Sequence, residues 1–295
     1  MGNDRATGRA GASPGSRTRA GTLGRVSSLV PVRVSSDPLP AVSTTTPNVA
    51  RMYDYYLGGK DNYAVDRECA EEVISRVPLT REIAQANREF LGRAVRFLSG
   101  EAGICQFLDI GSGLPTQENV HEVAQGINPA SRVVYVDNDP MVLTHARALL
   151  ATDAQTGVIC GDVRTPGDIL AHPELHRLLD LSRPVAVLLV SLMHFIPNER
   201  DPYQAVTTLM EAMPTGSYLV LTHVEHRREL EAGAQSYNRA SAPVELRSLD
   251  QIGRFFDGLD LVFPGLVNVR RWRPDERVTV MDRDVPFYGG IGVKR

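Results

Sequence analysis

The chain lacks the features that announce a covalently stapled or membrane-held architecture. Its 295 residues hold three cysteines, Cys69, Cys105 and Cys160, odd in number and far apart. That pattern fits neither a disulfide framework nor a zinc cluster, so no metal site is expected and a reducing, cytoplasmic setting fits best. No apolar run approaches the length of a membrane span, the N-terminus lacks the apolar core of a secretory signal, and no internal repeats occur. No membrane contact is expected. Net charge is small at −3 but unevenly divided: residues 1–46 carry six arginines against Asp4 and Asp37, or +4, leaving −7 on the other 249 residues. A mildly acidic folded part argues against a nucleic-acid polymer as partner, because such binders display basic surfaces.

What is present is globular. With 42% hydrophobic residues, the chain can bury one sizeable α/β core with an added subdomain. Residues 1–46 are rich in Gly, Ser, Ala, Pro, Thr and Arg without an apolar period, and read as a disordered basic leader. Residues 47–99 read as a helical cap or lid, and residues 100–295 as the core. In the cap, Pro47 is placed to start a helix, Val49, Met52, Tyr53, Tyr56 and Leu57 share one face, and Gly58-Gly59 ends it. Its tyrosines suit a lid over a cofactor, with Arg51 or Lys60 reaching a carboxylate. The competing reading is an ordinary helix packing those rings on the core. Two more helices follow, at about 63–76 and 80–98, and complete a candidate substrate subdomain.

The organising stretch is Gln106–Thr116, QFLDIGSGLPT. The apolar run ending in Asp109 reads as a buried strand, and Gly111-Ser112-Gly113 lets the backbone turn sharply beside a ligand. A dinucleotide fingerprint needs a glycine at 116, where Thr116 stands. Asp109 would also repel a pyrophosphate, whereas S-adenosylmethionine (SAM) brings an ammonium and a sulfonium to that place. The loop therefore favours SAM over NAD.

Beyond it, strands and helices alternate. A helix at 117–125 leads to a strand over Arg132–Asp137, a helix from Asp139, its cap, to Leu150, and a strand over Gly157–Asp162. Strands over 184–190 and 216–224 flank a helix at 201–213. Alternation means a doubly wound parallel sheet with ligands at the carboxyl ends of the strands. Asp137 falls 24 residues past Gly113, where one carboxylate can take both hydroxyls of a ribose. Asp162 sits where an adenine amine could donate. Each acid alone is equally a helix cap or loop residue, but three on successive strand ends form a constellation. After the fourth strand, Ser191, Leu192 and His194 are site candidates. His194 reads as a general base or, more simply, as a packed residue; His223 and Glu225 end the fifth strand and either polarise a substrate or solvate a loop. A polar segment at 225–242 reads as helical, as does 248–256 with Phe255 and Phe256 inward. Strands at 259–267 and 285–293 then form a hairpin at the sheet edge.

The order FLDIGSG, VVYVDND, ICGDVR and GSYLVLTHV resembles class I SAM-dependent methyltransferases over about residues 100–295. More narrowly, PNVARMYDYYLGGKDNYAVDRE with FLDIGSGLPTQENVHEVAQ is similar to a little-characterised actinobacterial group of S-adenosyl methyltransferases, with LGGKDN as its marker. The resemblance implies a Rossmann-like, doubly wound seven-stranded α/β sheet with an antiparallel last strand. It implies SAM contacts from the glycine loop, Asp137 and Asp162; Asp109, Gly111, Ser112 and Gly113 are expected to hold the methionyl end, Asp137 the ribose and Asp162 the adenine, with Asn138 and Val163 as further cofactor contacts. Ser191 and Leu192 would face the transferable group, and Arg51, Lys60 and Asn62 would close the pocket. The turn at 191–194 lacks a Pro-Pro-Tyr type of motif, and no cysteine follows a proline there, which lowers the case for nucleic-acid methylation. The expected activity is in-line methyl transfer to a small-molecule acceptor, leaving S-adenosylhomocysteine (SAH). The alternative is a SAM-binding regulator without turnover. The acceptor and the oligomeric state stay open.

Overall fold

A computed structural model of the protein describes residues 42–115, 118–149, 153–274 and 284–295. Nearly all of the expected leader lies outside the described residues, as do Thr116 and the expected helix start at Gln117. Asn48, not Pro47, opens the first helix: its side-chain oxygen accepts from the Ala50 and Arg51 amides at 2.8 and 3.2 Å, which a proline cannot do. Three helices come first, α1 (Val49–Tyr56), α2 (Ala64–Arg76) and α3 (Thr80–Gly100). Then β1 (Gln106–Ile110), α4 (Val120–Ile127), β2 (Arg132–Asp137), α5 (Pro140–Leu149) and β3 (Thr156–Cys160) alternate. Two short helices, α6 (Pro166–Leu170) and α7 (Pro173–Leu178), fill the stretch before β4 (Ala186–Leu189), and α8 (Pro202–Glu211) leads to β5 (Tyr218–Val224). The expected helix at 225–242 is shorter and broken, keeping only α9 (Glu231–Ser236) between two 3₁₀ turns. Last come α10 (Leu249–Gly253), β6 (Asp260–Leu261), β7 (Val267–Asn268) and β8 (Phe287–Val293).

The strands form one mixed sheet in the order β3-β2-β1-β4-β5-β8-β6, with β7 also paired to β8. β1 to β5 run parallel, and β8 lies antiparallel to β5. Adjacent residues of a strand point to opposite faces, so each strand feeds two cores. Leu108, Val134, Val187 and Leu221 join Leu209, Phe255 and Phe256 on one side; Phe107, Val133, Ala186 and Val220 join Phe90, Phe97 and Trp272 on the other. Covering both faces is what makes these strands nearly uninterrupted apolar runs.

Among the described residues the sheet has eight strands, where seven were expected. The outermost position is split into β6 and β7, each two residues long, and both pair with β8. Between them Pro264 has no N–H for a ladder, and Gly265 turns back to donate to the Val262 carbonyl at 2.8 Å. The described helices include none long and apolar enough to cross a membrane.

Candidate functional site

A cavity of about 560 Å³ opens along the carboxyl ends of β1, β2, β3 and β4. Local backbone geometry creates it. Gly111 and Gly113 have φ of 72° and 67°, a region closed to most side chains. A Cβ on Gly111 would come within 2.6 Å of Leu192 Cδ1, whereas one on Gly113 would meet no atom of the described residues beyond its chain neighbours within 4 Å. The turn is thus sealed by Leu192 on one side and faces open space on the other. Ser191 also has positive φ, 60°, and its amide is held by the Thr222 hydroxyl at 2.8 Å.

Three acids line this cavity in different electrostatic states. Asp109 is buried and is pushed up to about 7 by desolvation, with Arg88 pulling down and Asp137 pushing up. No described residue hydrogen-bonds its carboxylate. Asp137 is pushed up to about 6, chiefly by burial, although it accepts the Gly113 and Asp139 amides at 2.9 Å each. Asp139 caps α5 through the Met141 amide at 2.6 Å. Asp162 is also desolvated, but the Arg164 guanidinium and amide and Asn138 Nδ2 (3.1 Å) hold its carboxyl below the usual range.

Asp109, Gly111, Ser112, Gly113, Asp137, Asn138, Asp162, Val163, Ser191, Leu192 and Arg51 all line the one cavity. Lys60 and Asn62 do not join them. In LGGKDN, Asn62 Nδ2 donates to Asp54 Oδ2 at 2.8 Å and to the Gly59 carbonyl at 3.1 Å, and the Asp61 amide reaches Asp54 at 3.0 Å. Gly59 lies so close that an added Cβ would fall 1.9 Å from Asp54 Oδ1. The segment is a turn wrapped around Asp54, and Lys60 is exposed. Arg51 reaches the cavity wall already engaged: Nε donates to the fully buried Asp66 at 2.7 Å, a terminal nitrogen donates to the Thr46 carbonyl at 2.9 Å, and Asp139 stands 3.9 Å away.

Neither histidine lines the cavity. His194 is pushed down to about 3 by burial and by Arg247, and His223 is held well below the usual range by burial and by His194. Arg247 donates to His223 Nε2 at 2.8 Å and to the Met193 and Ile196 carbonyls at 3.0 and 2.8 Å. A neutral imidazole beside a buried guanidinium is a poor proton acceptor at neutral pH. Sequence reasoning missed Arg88 and Asn87 as cavity residues, whereas Tyr53, expected among the lid tyrosines, does line the cavity. Asn87 lies on the buried face of α3, where a polar side chain among apolar ones, with a cation next to it, was the available signal.

A family model of S-adenosyl methyltransferases matches residues 36–295. The chain belongs to the S-adenosyl methyltransferase family. It is a SAM-dependent methyltransferase, and SAM is its cofactor. A crystal structure of a DUF574 family protein from Streptomyces avermitilis MA-4680 is 41% identical, with a TM-score of 0.82, covering 85% of this chain and 99% of that one. A candidate methyltransferase from Thermobifida fusca YX is 44% identical, again with a TM-score of 0.82, over 88% of this chain and 100% of its own. No curated protein matches the methyltransferase described here.

Proposed function

We propose that the 560 Å³ cavity holds SAM and that the enzyme methylates a small-molecule acceptor by in-line displacement. Asp109 carries this reading: a desolvated carboxylate in a cavity wall, with no hydrogen-bond donor among the described residues, is stabilised by an incoming cation. Open space beside Gly113 fits the same ligand, since a backbone without a side chain admits the cofactor closely.

In this reading Asp109 receives the methionyl ammonium. Arg88, whose charge already acts on Asp109, takes the methionyl carboxylate in place of Arg51. Asp137 spends one lone pair of each oxygen on a backbone amide and keeps the others for the ribose hydroxyls. The oxygens of Asp162 are engaged by Arg164 and Asn138, so the Val163 amide is the better partner for an adenine ring nitrogen. Leu192 and Ser191 border the reacting end. SAM supplies an activated methyl group on a sulfonium, so the protein's work is alignment. Titration calorimetry of SAM and SAH tests the cofactor site. Labelled methyl transfer into small molecules of a cell extract, lost in Asp109→Ala, tests the activity; no binding of either nucleoside would overturn the reading.

A further inference from the structure

Beside the larger cavity lies a second recess of about 100 Å³, and we infer that it seats the methyl acceptor, a single uncharged aromatic ring bearing a hydroxyl. The inference rests on the larger cavity being the SAM site. Val49, Tyr53, Asn87, Ser191 and Phe195 line both spaces, so a ligand in the recess abuts the end of the cavity bordered by Ser191. That is where the methyl group is read to lie.

The chemistry of the walls selects the ligand. Among the described residues no Asp, Glu, Lys or Arg lines the recess, which is walled by Val73, Val77 and Ile83 and by the rings of Tyr56, Tyr237 and Phe287. An ammonium or carboxylate entering it would lose its hydration with no opposite charge to meet. His194 adds none, because burial keeps its imidazole neutral. The volume is about two thirds of the ~150 Å³ of an apolar cavity that takes up benzene, so a ring fits only because the recess opens into the larger cavity, and it is too small for a peptide or a fused polycycle. Aromatic walls favour a ring that meets them edge-on or offset.

Polar capacity is left in three places, the first being His194 Nδ1, a buried nitrogen with no hydrogen-bond partner among the described residues. Along the shared wall, Asn87 Nδ2 donates to the Tyr53 hydroxyl, Thr222 donates to Asn87 Oδ1 and Ser191 N donates to Thr222, each at 2.8 Å, while the Tyr53 hydroxyl donates to the Ala84 carbonyl at 3.1 Å. That chain is complete and fixes the wall, leaving the Ser191 hydroxyl without a partner among the described residues. Across the recess, the Tyr56 and Tyr237 hydroxyls stand 2.9 Å apart. One hydrogen serves that contact, and the second has no acceptor among the described residues. Transfer joins the acceptor oxygen to the methyl carbon, returns the C–S electron pair to sulfur to give SAH, and releases the hydroxyl proton to water in the larger cavity.

Titration of 4-ethylphenol into the full chain saturated with SAH tests this. Binding is expected, at least tenfold tighter than that of 4-hydroxybenzoate, an anion, or tyramine, a cation. Ala234→Trp and Val244→Trp, both at partly exposed recess positions, should each weaken 4-ethylphenol at least tenfold while SAH affinity stays within twofold, which also reports folding. Failure of 4-ethylphenol to bind, equal or tighter binding of either charged probe, or indifference to both tryptophans overturns the inference. Failure of the wild-type chain to bind SAH overturns the cofactor reading instead.

Discussion

The Gly113 amide donates to Asp137 Oδ2 at 2.9 Å, fastening the turn after β1 to the acid that ends β2. Asp137 Oδ1 takes the Asp139 amide at the same distance, so both carboxylate oxygens face a backbone N–H. The acid holds the glycine turn, and with it the cofactor seat proposed for this cavity, in shape. Asp137→Asn presents one oxygen and turns an NH₂ toward an N–H donor. The expected cost is about 1–3 kcal/mol of stability, the range for a buried donor left unsatisfied. SAM affinity should fall more than tenfold. Thermal unfolding and titration calorimetry read the two separately, and an asparagine variant with wild-type values in both would remove Asp137 from the site.

Asp109 and Asp137 also set a pH dependence. Their folded values, about 7 and about 6, lie above the ordinary carboxylate value, so between about pH 4 and 7 the folded protein holds more protons than the unfolded chain. Their contribution to stability is therefore fully present below pH 4 and is lost as pH rises through 6 and 7. For Asp109 the whole span is on the order of 4 kcal/mol. A bound ammonium favours the ionised form, so SAM binding should release a proton and tighten from pH 6 to pH 8. The Tm of the ligand-free protein, compared with Asp109→Asn, should fall over the same interval and flatten in the variant. A wild-type profile no steeper than that of the variant would contradict this.

Much of this was legible in the chain, for a physical reason. The limits of β2 and the capping of α5 by Asp139 follow from an unbroken buried apolar run and local hydrogen bonding, both encoded within a few residues. The α6 and α7 helices went unread because five or six residues behind Pro166 and Pro173 cannot display a helical period. The site was half legible. Acids at strand ends are positioned by the fold class itself, whereas the role of Arg51 depends on Asp66, fifteen residues away and fully buried. LGGKDN misled because a polar turn and a ligand-binding loop draw on the same residue types; only the burial of Asp54 tells them apart.

Ser191 offers a test of strain. A serine at φ 60° pays for a conformation that glycine adopts freely, and costs of order 1–3 kcal/mol persist where the surroundings fix them. Ser191→Gly should leave Tm within a few degrees, because relief of strain offsets the added freedom of the unfolded chain. Ser191→Val, β-branched and without the hydroxyl, should lower stability by about 1–3 kcal/mol. If valine were tolerated as well as glycine, the turn would have to be more yielding than its hydrogen bond to Thr222 implies.

Two arginines in one cavity wall should behave oppositely. Arg88→Gln removes the cation whose charge acts on Asp109, together with its hydrogen bonds to the Glu118 carbonyl and the Asn119 side chain; SAM and SAH affinity should drop about tenfold or more, roughly 1.4 kcal/mol, with a smaller loss of stability than at Arg51. Arg51→Met strips the partner from a carboxylate that is fully buried, and breaking such a pair costs about 3–5 kcal/mol. Its defect should appear in unfolding first, with cofactor affinity altered only as the fold loosens. Adding Asp66→Leu should recover only part of that loss, because Asp66 also accepts the Asn48 and Tyr63 amides at 2.8 Å each, and these donors stay orphaned in the double variant. If Arg51→Met instead proved stable and lost SAM, Arg51 would regain the role here given to Arg88.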